Sequence, residues 1–292
     1  MPIAADKLVS LPSKLRKSIK QISRDPTPDR VHKLRTRSRR LESALKALSL
    51  DSRKNERGLI KAIKPIRRRA GRVRDMDVLT QFASDSHVSG EQECSVRLLE
   101  YLGSVRERQS DKLQKKVDAE RANIRRRLKK STHLLETQVP IQRNRKPNAK
   151  FQKLATEAAA RSLSLEGELR KWPNLTRANL HRFRLKVKKL RYILQMAEES
   201  NGEFVASLGE VKDAIGEWHD WEELARIAKQ VIQHPGCKLV VQIRSTAQQK
   251  FEHALFSANS MRRRFLQPAG RRKFPSGTSR APALTSVSAI AA

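Results

Sequence analysis

Two stretches of this chain repeat one arrangement of histidine and arginine. Residues 31–45 and 180–194 both read apolar, His, any residue, apolar, Arg, three residues, two basic residues, Leu. At about 100° per residue, Val31, Leu34, Leu41 and Leu45 form one apolar stripe, matched by Leu180, Phe183, Val187 and Leu190. Beside each stripe runs a second row: His32, Arg35, Arg39 and Lys46 in the first copy, His181, Arg184, Lys188 and Arg191 in the second. The planar fork of Arg grips two phosphate oxygens at once, and Lys adds a point charge. A protonated histidine beside a polyanion offers both ring nitrogens as donors. A row spanning residues 32 to 46 rises about 21 Å on a helix, so it suits an elongated ligand. The other reading of His32 and His181 is a pair of buried packing residues; the repeated His-to-Arg spacing favours the ligand.

A second pair of segments follows the first in the same order. Residues 71–79 align with 216–224, matching Gly71 to Gly216, Arg74 to His219, Asp75 to Asp220 and Leu79 to Leu224. Two matches in one order point to an internal duplication. Two facing cation rows related by it would line a channel with donors on opposite walls. Arg40, Arg67, Arg74, Lys189, Lys212 and His219 form a second tier of candidate ligands. Asp75 and Asp220 either hold a basic side chain in position or cap a following helix. Tyr192, Trp218 and Trp221 are expected to pack rather than to bind.

The elements that must position these rows are all helical by apolar period. A first helix is expected over 6–23, broken by Pro26 and Pro28. The His32 helix then runs to about residue 50. A third, over about 53–72, has Pro65 inside it, which predicts a kink or break; a short helix follows to about residue 82. Residues 84–90 read as a linker and 91–135 as a long charged helix. The basic segment 140–147 reads as the linker between halves. The second half predicts helices over 150–171, from His181 to about 200, over 204–215, over 217–233 and over 238–266. The fold class is therefore all-α, as two similar bundles of about 6–139 and 148–266. Residues 267–292, rich in Ser, Ala and Pro, read as a disordered basic tail.

The charge balance narrows the partner. The 292 residues carry 63 Lys+Arg against 30 Asp+Glu, a formal net charge of +33. Such an excess strains the compact state and implies a polyanion. Nucleic acid is the main rival to a phosphate chain, bound nonspecifically through its phosphates. With 4% aromatic residues, however, the chain has little with which to stack bases. No stretch approaches the ~20 apolar residues of a membrane span, so no membrane insertion is expected. The N-terminus lacks the pattern of a secretory signal, which predicts a cytosolic, reduced protein. Cys94 and Cys237 stand far apart and in no CxxC pattern, arguing against a disulfide framework or a metal site. No cofactor is implied.

The His-x-x-Arg helices, the Gly-x-x-Arg-Asp-x-Asp segment from Gly71 and the ending Leu190-Arg191-Tyr192 together resemble the CHAD domain, the conserved-histidine α-helical domain. The resemblance extends over about 6–266. It implies two helical bundles around a basic central channel, binding of inorganic polyphosphate, and a place at polyphosphate granules. The chain departs from the pattern in its second half, with His219 in the place of Arg74 and Glu222 in that of Asp77; Glu42 likewise occupies the place of Arg191. Enzymes to which family members are sometimes fused carry Glu-x-Glu-x-Lys on a strand. Here the nearest match, Glu91-Gln92-Glu93-Cys94-Ser95, lacks the lysine. No phosphate loop, nucleophile elbow or acid/base pair can be named, so binding without catalysis is expected.

Overall fold

The structure, a computed structural model, describes residues 5–138, 149–195, 201–234 and 236–267, and among these the regular elements are helical. They are α1 (Ala5–Ile22), α2 (Pro28–Ala47), α3 (Lys54–Asp85), α4 (Gln92–Gln138), α5 (Ala149–Arg170), α6 (Arg177–Leu194), α7 (Gly202–Val231) and α8 (Lys238–Met261). A short 3₁₀ turn at Leu50–Ser52 and a π turn at Arg262–Leu266 complete the set. The expected interhalf linker 140–147, the end of the His181 helix near 200 and the tail from 268 lie outside the described residues.

Local chemistry sets the starts of the two His helices. Pro28 stands in the first turn of α2, where a missing N–H costs nothing, and the Thr27 side chain accepts from the Arg30 N–H at 3.4 Å. Before α6, the Asn179 side chain reaches back to accept the Thr176 N–H at 2.9 Å, half of a capping box. Asn201 caps α7 as Thr27 caps α2, its side chain accepting from the Phe204 N–H at 3.1 Å.

Three expected breaks are absent, at Pro65, after about residue 72 and at Gly216. Helix α3 continues through Pro65 as one element of 32 residues. The carbonyl that loses its donor belongs to Lys61, on the exposed side, where water can satisfy it. Helix α7 runs unbroken for 30 residues through Gly216, rather than as two helices meeting there. A mid-helix glycine costs about 1 kcal/mol, which burial of its neighbours Ile215 and Trp218 offsets. Asp75 and Asp220 therefore stand in helix interiors, and neither caps a helix.

Apolar faces bury into three cores. One joins α1, α2, α3 and α4 around Leu34, Leu41, Leu59 and Ile66, and takes in Ala158 of α5 and Ile193 of α6. The second joins α5, α6, α7 and α8 around Phe183, Val187, Leu208 and Ile215. The third is shared by the ends of α3 and α7 with the starts of α4 and α8, where Phe82 stacks on Trp221 at 4.6 Å. The two bundles thus share a core at this end. The same end brings Cys94 and Cys237 together despite their separation in sequence: their sulfurs and a Glu91 oxygen lie within 4.8 Å of one another. Separation along the chain therefore does not keep the two thiols apart.

Candidate anion-binding site

The seam between the bundles is lined by α2 and α6, backed by α3 and α7. On α2 the stripe Val31, Leu34, Leu41 and Leu45 is buried, as is Leu180, Phe183, Val187 and Leu190 on α6. Anchoring those faces in the two cores leaves the adjoining faces, with their cations, turned to the seam.

Four residues form its centre: Arg35 and Arg39 from α2, Arg184 and Lys188 from α6. They are close enough to repel one another. Burial, followed by the charges of Arg39, Arg184, Arg35 and Lys212, pushes the Lys188 ammonium down to about 6. Burial, reinforced by Arg35, lowers Arg39 to about 10, which leaves it charged at neutral pH. Burial also lowers Arg184, partly opposed by Asp220. Among the described residues no carboxylate pairs directly with Arg39 or Lys188. Arg35 meets Asp75 only at 3.7 Å, and Arg184 Nε donates to the Lys212 carbonyl at 3.0 Å. The buried donors Arg35 Nε and Arg191 Nε, with His181 Nδ1, have no hydrogen-bond partner. Such groups are costly to bury unsatisfied.

Glycine lets two of these side chains lie close to helix backbone. A Cβ at Gly216 would collide with the Arg184 guanidinium, and one at Gly209 would come within 3.2 Å of Arg191 Nε. The aligned pair in the first half is looser, since a Cβ at Gly71 would stand 3.8 Å from Arg35 Nε.

Around the centre the remaining candidates separate. His181 and His219 face each other with ring centroids 5.0 Å apart. Burial and the charge of His219 lower His181, whereas a hydrogen bond to Asp220 raises His219. His32 is exposed, and its pKa is lowered by partial burial and then by Arg74, Arg35 and Lys212. That places Arg74 and Lys212 beside it, and makes His32 the neutral form near pH 7 before any polyanion arrives. Asp75 and Asp220 do lie among the cations, and burial raises Asp75. Lys46 and Arg67 both pair with Glu42. Arg40 is exposed and enters none of these interactions.

One end of the seam opens into a cleft of about 530 Å³ lined by Arg39, Lys46, Arg67, Lys188, Lys189 and Tyr192. Tyr192, half-buried, is among the residues that line the cleft. Arg161 and Lys186 also line it, and sequence reasoning missed both. Arg161 lies on α5, outside any repeated motif, held by Ser49 Oγ at 3.0 Å. Lys186 pairs with Glu168. Trp218 and Trp221 are buried, as their packing role requires.

Comparison with known proteins agrees with this architecture. The chain matches the family model of the CHAD domain over residues 11–229. Among solved structures it is similar to PptA from Streptomyces chartreusis, with a TM-score of 0.58 and 16% identity, over 89% of this chain and 99% of that one. It is also similar to the CHAD domain from the plant Ricinus communis, with a TM-score of 0.60 and 19% identity, over 89% of this chain and 92% of that one. At such identities the likeness shows a shared fold. No curated protein matches the chain in sequence.

Proposed function

The chain belongs to the CHAD-domain family, and from that premise we propose that it binds inorganic polyphosphate without chemical conversion, in the seam between its bundles. One observation carries the reading: Arg35, Arg39, Arg184 and Lys188 converge from two bundles at high local positive charge, with buried donors left unpaired. A linear phosphate chain supplies repeated oxygens with delocalised negative charge to both walls at once. Guanidinium forks take these as charge-assisted pairs, and Lys188 recovers its proton when a phosphate oxygen replaces the neighbouring cations as its nearest charge. The residues assigned to the chain are His32, Arg35, Arg39, Lys46, His181, Arg184, Lys188 and Arg191. Arg67, Arg74, Lys189, Lys212 and His219 take the margins. Catalysis forms no part of the proposal, and the cellular role it fits is cytoplasmic, targeting the protein to polyphosphate granules.

The rival is nonspecific binding of DNA or RNA, favoured by the net charge of +33. Competition separates the two: long-chain polyphosphate against duplex DNA and RNA of matched charge, at near-physiological salt. The expected result is a preference for polyphosphate of at least about a hundredfold, lost in the Arg35/Arg39/Arg184/Lys188 quadruple alanine variant while its helix content is kept. Equal competition, or a variant that binds like wild type, would give nucleic acid first place. An assay for phosphate release from the same polymer tests the absence of catalysis; release that the quadruple variant abolishes would overturn it.

A further inference from the structure

Past the ends of α3 and α7, three donors from separate parts of the chain converge. Glu91 immediately precedes α4, Cys94 lies in the first turn of α4, and Cys237 immediately precedes α8. The Cys237 thiol donates to Glu91 Oε2 at 3.1 Å, and Glu91 Oε1 accepts the Lys238 N–H at 2.9 Å. The donor atoms of Glu91, Cys94 and Cys237 all lie within 4.8 Å of one another, with Cys237 buried and the other two half-buried. Donors about 2.0–2.3 Å from a tetrahedral zinc ion stand roughly 3.5–3.8 Å apart, so closing on an ion needs only small side-chain movements.

We propose that Glu91, Cys94 and Cys237 bind one thiophilic divalent cation, zinc by ligand type, with water in the fourth position. Two thiolates and a carboxylate match the ion's preference for sulfur and oxygen. The Lys238 N–H that fixes the second carboxylate oxygen is the kind of outer hydrogen bond that orients a ligand. Binding releases the two thiol protons to solvent and leaves the sulfur oxidation state unchanged.

The other use of two adjacent cysteines, a disulfide, fits the surroundings less well. A carboxylate against both thiols opposes the thiolate that thiol–disulfide exchange requires. A bound cation reverses that penalty, and the carboxylate becomes a ligand instead of a repelling neighbour. The ion would also tie the start of α4 to the start of α8 across the shared core, clamping the bundles together without touching the cation seam.

The test is cobalt titration of the full-length, untagged, metal-free and reduced protein, with zinc as competitor. One cobalt per chain is expected, with a thiolate-to-metal charge-transfer band and the strong visible absorption of a tetrahedral ion, both removed by zinc. Cys94→Ser and Cys237→Ser should each abolish the charge-transfer band or halve it, and Glu91→Gln should raise the dissociation constant at least about tenfold. Helix content without metal should be the same in all variants, and zinc should raise the melting temperature of wild type more than that of any variant. The proposal is overturned if no charge-transfer band forms, or if the band is unchanged in both serine variants. It is equally overturned if mass spectrometry finds the isolated protein joined at Cys94–Cys237 and the reduced form takes no cobalt.

Discussion

The two halves of the seam use the same helix pair with opposite treatment of charge. In the first half Glu42 sits where the second has Arg191, and it holds both Lys46 and Arg67. In the second half no acid among the described residues does the same for Lys188, which is forced down to about 6. The acids that do correspond behave alike. Asp77 pins Arg106 at 2.7 Å and Glu222 pins Arg177 at 2.6 Å, each across to another helix. The difference is therefore local to the ligand face. One half brings an acid that already pairs with Lys46 and Arg67; the other leaves Lys188, at its centre, without a carboxylate among the described residues.

Removing the centre from both halves should produce the largest effect. The Arg35/Arg39/Arg184/Lys188 alanine variant is expected to lose at least about a hundredfold in polyphosphate affinity, each lost charge-assisted contact being worth about 1.5–3 kcal/mol before coupling. Titration calorimetry or polymer retention on a column would measure it.

Lys188→Met tests the second half alone, with a predicted tenfold loss of affinity, about 1.4 kcal/mol. Its signature is protonic. Because the folded pKa of Lys188 lies near 6, below its ordinary value of 10.5, the unfolded chain holds more protons between those limits. This residue therefore makes stability rise as pH increases from about 6 towards 10.5. Urea midpoints followed across that window should rise less steeply with pH in Lys188→Met than in wild type. Polyphosphate binding at pH 8 should take up about one proton in wild type, seen as a buffer-dependent heat, and markedly less in the variant.

Glu42→Gln addresses the contrast directly. Releasing Lys46 and Arg67 should raise affinity roughly three- to tenfold, because two paired cations become available. An unchanged affinity would mean that the first half contributes through Arg35 and Arg39 only. The smallest effect belongs to Arg40→Ala, expected within about twofold of wild type, since Arg40 faces solvent outside the seam. A loss as great as that of Lys188→Met would move the ligand path out of the seam.

What the sequence alone determined follows from periodicity and charge. The 3.6-residue spacing of Val31, Leu34, Leu41 and Leu45 settled which face of α2 is buried, and so which face carries Arg35 and Arg39. The same reasoning on α6 placed Arg184 and Lys188 on a face beside the buried stripe. Tertiary structure decided everything that depends on distance between elements. Helix propensity and turn chemistry are local, so Pro65 and Gly216 read as breaks, whereas burial of the residues around them keeps α3 and α7 whole. That continuity is what puts Asp75 and Asp220 among the cations instead of at helix starts. Arg161, with no motif of its own, reaches the cleft only because α5 packs along α6. Glu42 neutralises Arg67, 25 residues away, and Cys94 meets Cys237 across 143 positions, because long-range packing, to which spacing along the chain is blind, folds two bundles onto one shared core.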